Sequence, residues 1–168
     1  MKKIGILIAI VILLSGCGKK TARDEVINFL EQYQKLSANV IGELEKNIIE
    51  EDEWSDKQKD KYRLVIKRQY KDLEYEIVNE RYNDNLSFIE VKITVYDYYK
   101  INQDDEYYNM DSELSYLDYK LDKMQNTTDR ISYNIIFNVE KDEDGNYNII
   151  DLSNTDIEKI HGIYNYNY

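Results

Sequence analysis

Four groups of residues carry side chains with the chemistry to act on something. Cys17 is the only cysteine in 168 residues, and it follows Leu14-Ser15-Gly16. A single thiol cannot build a disulfide or a zinc cluster within one chain. His161 is the only histidine. It falls near the end of a short terminal helix, where an imidazolium would favour the helix dipole. That suits a structural role, and without a second histidine a Ser/His or zinc site is hard to build.

Glu140, Asp142, Asp144, Gly145, Asn146 and Asp151 can be laid over positions one, three, five, six, seven and twelve of a calcium loop, with Gly at the sharp turn. Both flanks read as strands, however, and an acidic hairpin turning at Asp144-Gly145 explains the same residues. The hairpin is the preferred reading, with no metal. Tyr96, Tyr98, Tyr99, Tyr107 and Tyr108 form the fourth group, with Tyr116 and Tyr119 further along. Tyrosine gives large contact area with a polar tip, so the cluster is a candidate face for a ligand or partner. Core and sheet packing together with A/T-rich codon usage is the preferred account of the same tyrosines.

No G-x-S-x-G, P-loop, H-E-x-x-H or C-x-x-C pattern is present, and no cofactor is implied. Carboxylate-pair catalysis has 33 acidic residues to draw on, but nothing singles out a pair.

These groups must be positioned by elements legible in the periodicity. Val26, Phe29/Leu30, Tyr33, Leu36, Val40/Ile41, Leu44 and Ile48 recur at helical steps. They predict a helix from near Asp24, kinked or divided at Gly42 and ended by Glu50-Glu51-Asp52-Glu53. Ser55-Asp56-Lys57-Gln58 has capping-box spacing and opens a second helix to about Lys71. The period then changes to two. Leu73, Tyr75 and Ile77, then Ile89, Val91, Ile93 and Val95, predict a hairpin of 73–82 against 86–100. An acidic loop from Asn102 to Glu106 precedes a third helix, Ser112 to Met124. Ile131, Tyr133, Ile135, Phe137 and Val139 alternate again and turn back at Asp144-Gly145. A helix from Thr155 to His161 and a short tail follow. The order predicts an α+β domain, with helices gathered on an antiparallel sheet and a helical insertion between two hairpins. Its lack of βαβ alternation argues against a doubly wound sheet and its nucleotide site.

Met1-Lys2-Lys3, the eleven apolar residues Ile4–Leu14 and the small residues before Cys17 have the layout of a secretory signal. The apolar run is too short to span a bilayer, which needs about 20 residues. Leu14-Ser15-Gly16-Cys17 resembles the lipobox of bacterial lipoproteins at all four positions. The resemblance implies that residues 1–16 are removed, that Cys17 is diacylated, and that the protein is anchored on the outer face of the bacterial cell membrane. Two acyl chains give stable anchoring where one is marginal. Residues 17–22 then form a tether of at most roughly 18 Å beyond the cysteine, and 23–168 a single domain. Without the first sixteen residues the chain has 20 basic and 33 acidic residues, a formal charge of −13. That excess argues against nucleic-acid partners.

The stretches Asp24–Tyr33 and Phe137–Leu152 resemble the opening helix and last hairpin of the nuclear-transport-factor-2-like superfamily. The resemblance implies a cone-shaped α+β domain, with a curled sheet and in some members an apolar pocket. The insertion from Ile101 to Arg130 departs from the shortest members. The chain also resembles uncharacterised lipoproteins of clostridia-like bacteria. Together these readings describe an anchored, non-enzymatic module that binds a protein or small ligand; the alternatives are a carrier or sensor of an apolar molecule and an enzyme of unknown reaction.

Overall fold

Thr21 starts the first element. Its hydroxyl accepts the Asp24 amide at 3.2 Å, and the Asp24 carboxylate accepts the Thr21 amide at 2.9 Å. This reciprocal cap satisfies two free helix-end donors and leads into α1 (Ala22–Gln34). The structure, a computed structural model, describes residues 20–103 and 111–166. The Leu14–Cys17 motif, the acidic residues 104–106, Tyr107 and Tyr108 lie outside the described residues.

The expected long helix is two helices, and the break is not at Gly42. Leu36 takes a left-handed φ of +50°, while the Ser37 amide donates to the Gln32 carbonyl and the Leu36 amide to Tyr33, both at 2.9 Å. These paired bonds close the helix end and offset the strain of a side-chain-bearing residue there, about 1–2 kcal/mol. Ser37 then caps α2 (Ala38–Ile49). Gly42 sits within α2, facing open space. The Ser55/Gln58 capping box forms as expected and opens α3 (Asp56–Lys71).

The remaining elements are β1 (Glu74–Asn83), β2 (Leu86–Tyr96), α4 (Tyr98–Asn102), α5 (Glu113–Asn126), β3 (Arg130–Lys141), β4 (Tyr147–Ile150) and α6 (Asn154–His161). The four strands form one open antiparallel sheet in the order β1-β2-β3-β4. The fold is α+β, with the N-terminal helices preceding the sheet and α4 and α5 inserted between its hairpins. The second strand ends at Tyr96 instead of running to Lys100. There the Asp97 carboxylate accepts the Lys100 amide at 3.0 Å, and the Asp97 amide donates to the Asp129 carbonyl, turning the chain into α4. Among the described residues no helix is long and apolar enough to cross a membrane.

Alternation fixes the sheet's two faces. Ile89, Val91 and Ile93 pair with Phe137, Ile135 and Tyr133, and all six are buried. Their burial contributes about 1.5–3 kcal/mol for each large aliphatic side chain, and a one-residue slip would expose the whole set. The opposite face pairs polar groups: Thr94 hydrogen-bonds Ser132 at 2.8 Å, and Asn134 donates to Glu90 at 3.0 Å. Against the inner face runs an edge-to-face aromatic series, Phe137–Phe29–Tyr33–Tyr70, with centroids 4.9–5.7 Å apart. This series packs between the helices and the sheet.

Candidate functional site: a cleft beside the inserted helix

Helix α5 reaches its place through polar contacts that its own stripe of leucines does not announce. At its first turn the Gln58 amide donates to the Leu114 carbonyl at 3.1 Å. Midway, the Lys61 ammonium lies 3.2 Å from Asp118 and 2.8 Å from Asp122. At its last turn the Arg68 guanidinium donates to the carbonyls of Met124, Gln125 and Thr127 at 3.3, 2.8 and 2.8 Å. A cation on these otherwise free helix-end acceptors complements the negative end of the dipole. Three residues of α3, spaced along its length, thus hold α5 alongside it.

A second anchor fixes the neighbouring elements. Gln69 is fully buried. Its amide donates to the carbonyls of Tyr96 (3.1 Å) and His161 (2.9 Å), while its oxygen accepts the Tyr96 amide at 2.8 Å. One side chain therefore joins α3, the end of β2 and the end of α6. Gly162 makes this approach sterically feasible. Its φ is +72°, and a Cβ there would stand 2.1 Å from the Tyr96 carbonyl oxygen and 2.2 Å from the Gln69 amide nitrogen. The Gly162 carbonyl in turn accepts the Tyr99 amide at 2.8 Å, bringing in α4.

Between these fixed helices lies a partly enclosed cleft of about 220 Å³. Trp54, Tyr62 and Ile66 supply one wall, and Leu117, Leu121 and Met124 of α5 face them. Trp54 meets Tyr62 edge-to-face at 5.2 Å. Tyr98 backs the cleft, fully buried, its hydroxyl donating to the Val65 carbonyl at 3.2 Å. Among the described residues that line it, Asn102, Lys120 and His161 are polar besides the two tyrosine hydroxyls, and none is a carboxylate.

His161 is not the imidazolium that the helix-end argument favours. Burial pulls its pKa down from 6.5 to about 4, so it is neutral at pH 7. Its Nε2 lies 2.9 Å from the Tyr70 hydroxyl, whose own pKa burial pushes far above the usual phenol range. Two groups so shifted bond to each other as neutral partners and are poorly matched to proton transfer at neutral pH. Lys120 is the charged side chain among the described residues of the lining. Its Nζ lies 4.9 Å from the Tyr116 ring centroid, and burial lowers its pKa.

The tyrosines singled out from the sequence are not displayed as a platform. Tyr96, Tyr98 and Tyr99 are buried. Tyr96 contacts two guanidiniums, with the Arg68 and Arg130 carbons 3.9 and 4.9 Å from its centroid, and its hydroxyl donates to Asp72 at 2.7 Å. Tyr99 packs edge-to-face on Tyr166 at 4.9 Å. Only Tyr98 of these three reaches the cleft; Tyr107 and Tyr108 lie outside the described residues. Tyr116 and Tyr119 stack along α5 at 6.4 Å.

The acidic segment is a hairpin. Asp142 accepts the Asn146 amide at 2.8 Å, and the Gly145 amide donates to the Asp142 carbonyl at 3.0 Å, with Gly145 at φ +86°. The bond from the Asn146 amide holds the Asp142 carboxyl below its usual range and commits it to the turn. Asp144 shares that turn, whereas Asp151 lies beyond β4. Among the described residues no group of three or more His, Cys, Asp or Glu side chains is placed to hold a metal ion.

A wider groove of about 610 Å³ follows α4 and α5 past Tyr119 and Lys123. Its other charged groups are satisfied by neighbours: Lys100 pairs with Asp129 at 2.6 Å and Asp122 with Lys61. The cleft beside Trp54 is therefore the better candidate. The sequence signal that could have found it is Trp54, the single tryptophan, placed just before the α3 cap. Comparison of the chain with protein-family models, with curated proteins and with solved structures found no match.

Proposed function

We propose that this protein is a lipid-anchored binding module on the outer face of a bacterial cell membrane, and that it takes a small, largely apolar ligand in the cleft between α3, α4, α5 and α6. The anchoring half of the reading is supported by Leu14-Ser15-Gly16-Cys17 behind a charged and then apolar start. The binding half is carried by one observation: an aromatic- and aliphatic-walled cleft, with a few polar groups at its lining, opens between α3 and α5. Pockets that bind small molecules have this composition. The neutral His161, bonded to the Tyr70 hydroxyl, supports a binding role over proton transfer.

The size of the cleft sets the ligand's size. At about 30 Å³ per water-sized group, 220 Å³ accommodates roughly seven non-hydrogen atoms. The test is calorimetric titration of the full chain in phosphatidylcholine nanodiscs with 1-hexanol, using empty nanodiscs as the blank. The wild type should show one saturable site, and Leu117→Trp, whose ring fills the cleft, should show none. No saturable binding to the wild type, or equal binding to both, overturns the reading.

A further inference from the structure

Two lysines of α5, Lys120 and Lys123, each lie over a tyrosine ring, and of the two Lys120 is the half-buried one that lines the apolar cleft. Lys61 sits against two carboxylates and Arg68 against three carbonyls. Lys120 has no carboxylate within ion-pair distance among the described residues, although Glu53 and Glu113 line the adjoining groove. Its ammonium instead lies over the Tyr116 ring, 4.9 Å from the centroid. The side chain is half-buried, and it lines both the apolar cleft and that groove, so its ammonium stands where the two meet. A partly desolvated cation beside an apolar wall is complementary to an anion that carries its own apolar tail. The neutral His161 and Asn102 add uncharged polar contacts without competing for that charge.

Resting on the proposed binding cleft, we infer that its ligand is a small amphiphilic carboxylate, whose tail lies among Trp54, Leu117 and Met124 and whose head pairs with Lys120. The tail gains by leaving water, and the head gains a charge-assisted bond. A short tail fits best, because five tail carbons and a carboxylate come close to the roughly seven non-hydrogen atoms the cleft accommodates.

Trp54, as the only tryptophan, makes its emission a reporter placed in the cleft wall. The experiment titrates the full chain in nanodiscs with hexanoate and with 1-hexanol, following Trp54 fluorescence against free probe concentration. The wild type should favour hexanoate by about tenfold, the scale of a hydrogen bond to a charged group. In Lys120→Met that preference should vanish while 1-hexanol binds at least as well, which also shows the variant folded. Equal affinity of the wild type for both probes, or a preference that survives in Lys120→Met, overturns the inference and leaves the apolar cleft standing. No Trp54 response to either probe removes both readings.

Discussion

Gln69→Met is the sharpest test of how this scaffold is held. The two side chains have similar length and volume, so the change removes hydrogen bonds without opening a cavity. Three bonds disappear, to the Tyr96 amide, the Tyr96 carbonyl and the His161 carbonyl. A buried backbone group left without its partner costs about 1–3 kcal/mol. The Tyr96 groups face the buried amide directly, while the His161 carbonyl is only partly buried and recovers some solvation. The expected loss is therefore about 3 kcal/mol. Urea unfolding followed by circular dichroism at pH 7 should show the midpoint falling by roughly 2 M for a slope of about 1.5 kcal/mol/M, with the slope unchanged. The variant should also bind 1-hexanol more weakly, because α6 and the start of α4 lose their tie to α3. A stability loss below about 1 kcal/mol would refute the claim that this one amide joins the three elements.

Two further outcomes follow from single residues. The folded His161 has a pKa of about 4 against 6.5 for the free side chain, so the unfolded chain takes up the proton first on acidification. Its contribution to stability is fully present above pH 6.5 and is lost as the pH falls towards 4, by up to about 3 kcal/mol. The pH dependence of unfolding, compared between the wild type and His161→Gln, should show the variant less sensitive to acid across that window; parallel curves would contradict a buried neutral imidazole. Cys17→Ala should release the protein from the membrane fraction or block its processing, with an unchanged circular dichroism spectrum; correctly cut variant that stays in the membrane would refute acylation at that residue.

Much of the fold was readable because its signals are local. The two-residue alternation in β2 and β3 specified which side chains face inward, since a strand's geometry sends neighbours to opposite faces. Ser55-x-x-Gln58 marked the start of α3 for the same reason: all the atoms of the cap lie within four residues. The misreadings arose where a local signal met a tertiary requirement. Leu36 continues a helical stripe, yet it adopts a left-handed turn that lets α1 and α2 bury separate faces. Tyr96 to Tyr99 read as strand and platform because tyrosine favours sheets and interfaces. In the fold Asp97 caps α4, and Arg68, Arg130 and Tyr166 cover the rings.

By itself the sequence determined the order of the strands and of α3, α5 and α6 around them, the inner face of the sheet and the acidic hairpin, each written in contiguous residues. The cleft was decided only by tertiary structure. Its walls come from Trp54 to Ile163 and meet because Lys61, Arg68 and Gln69 reach across 27 to 92 positions of chain to hold α5, β2 and α6. Likewise, no spacing distinguishes Lys120 from the other lysines, or a neutral His161 from a charged one. Those properties come from the neighbours that folding places around each side chain and from the water that those neighbours exclude.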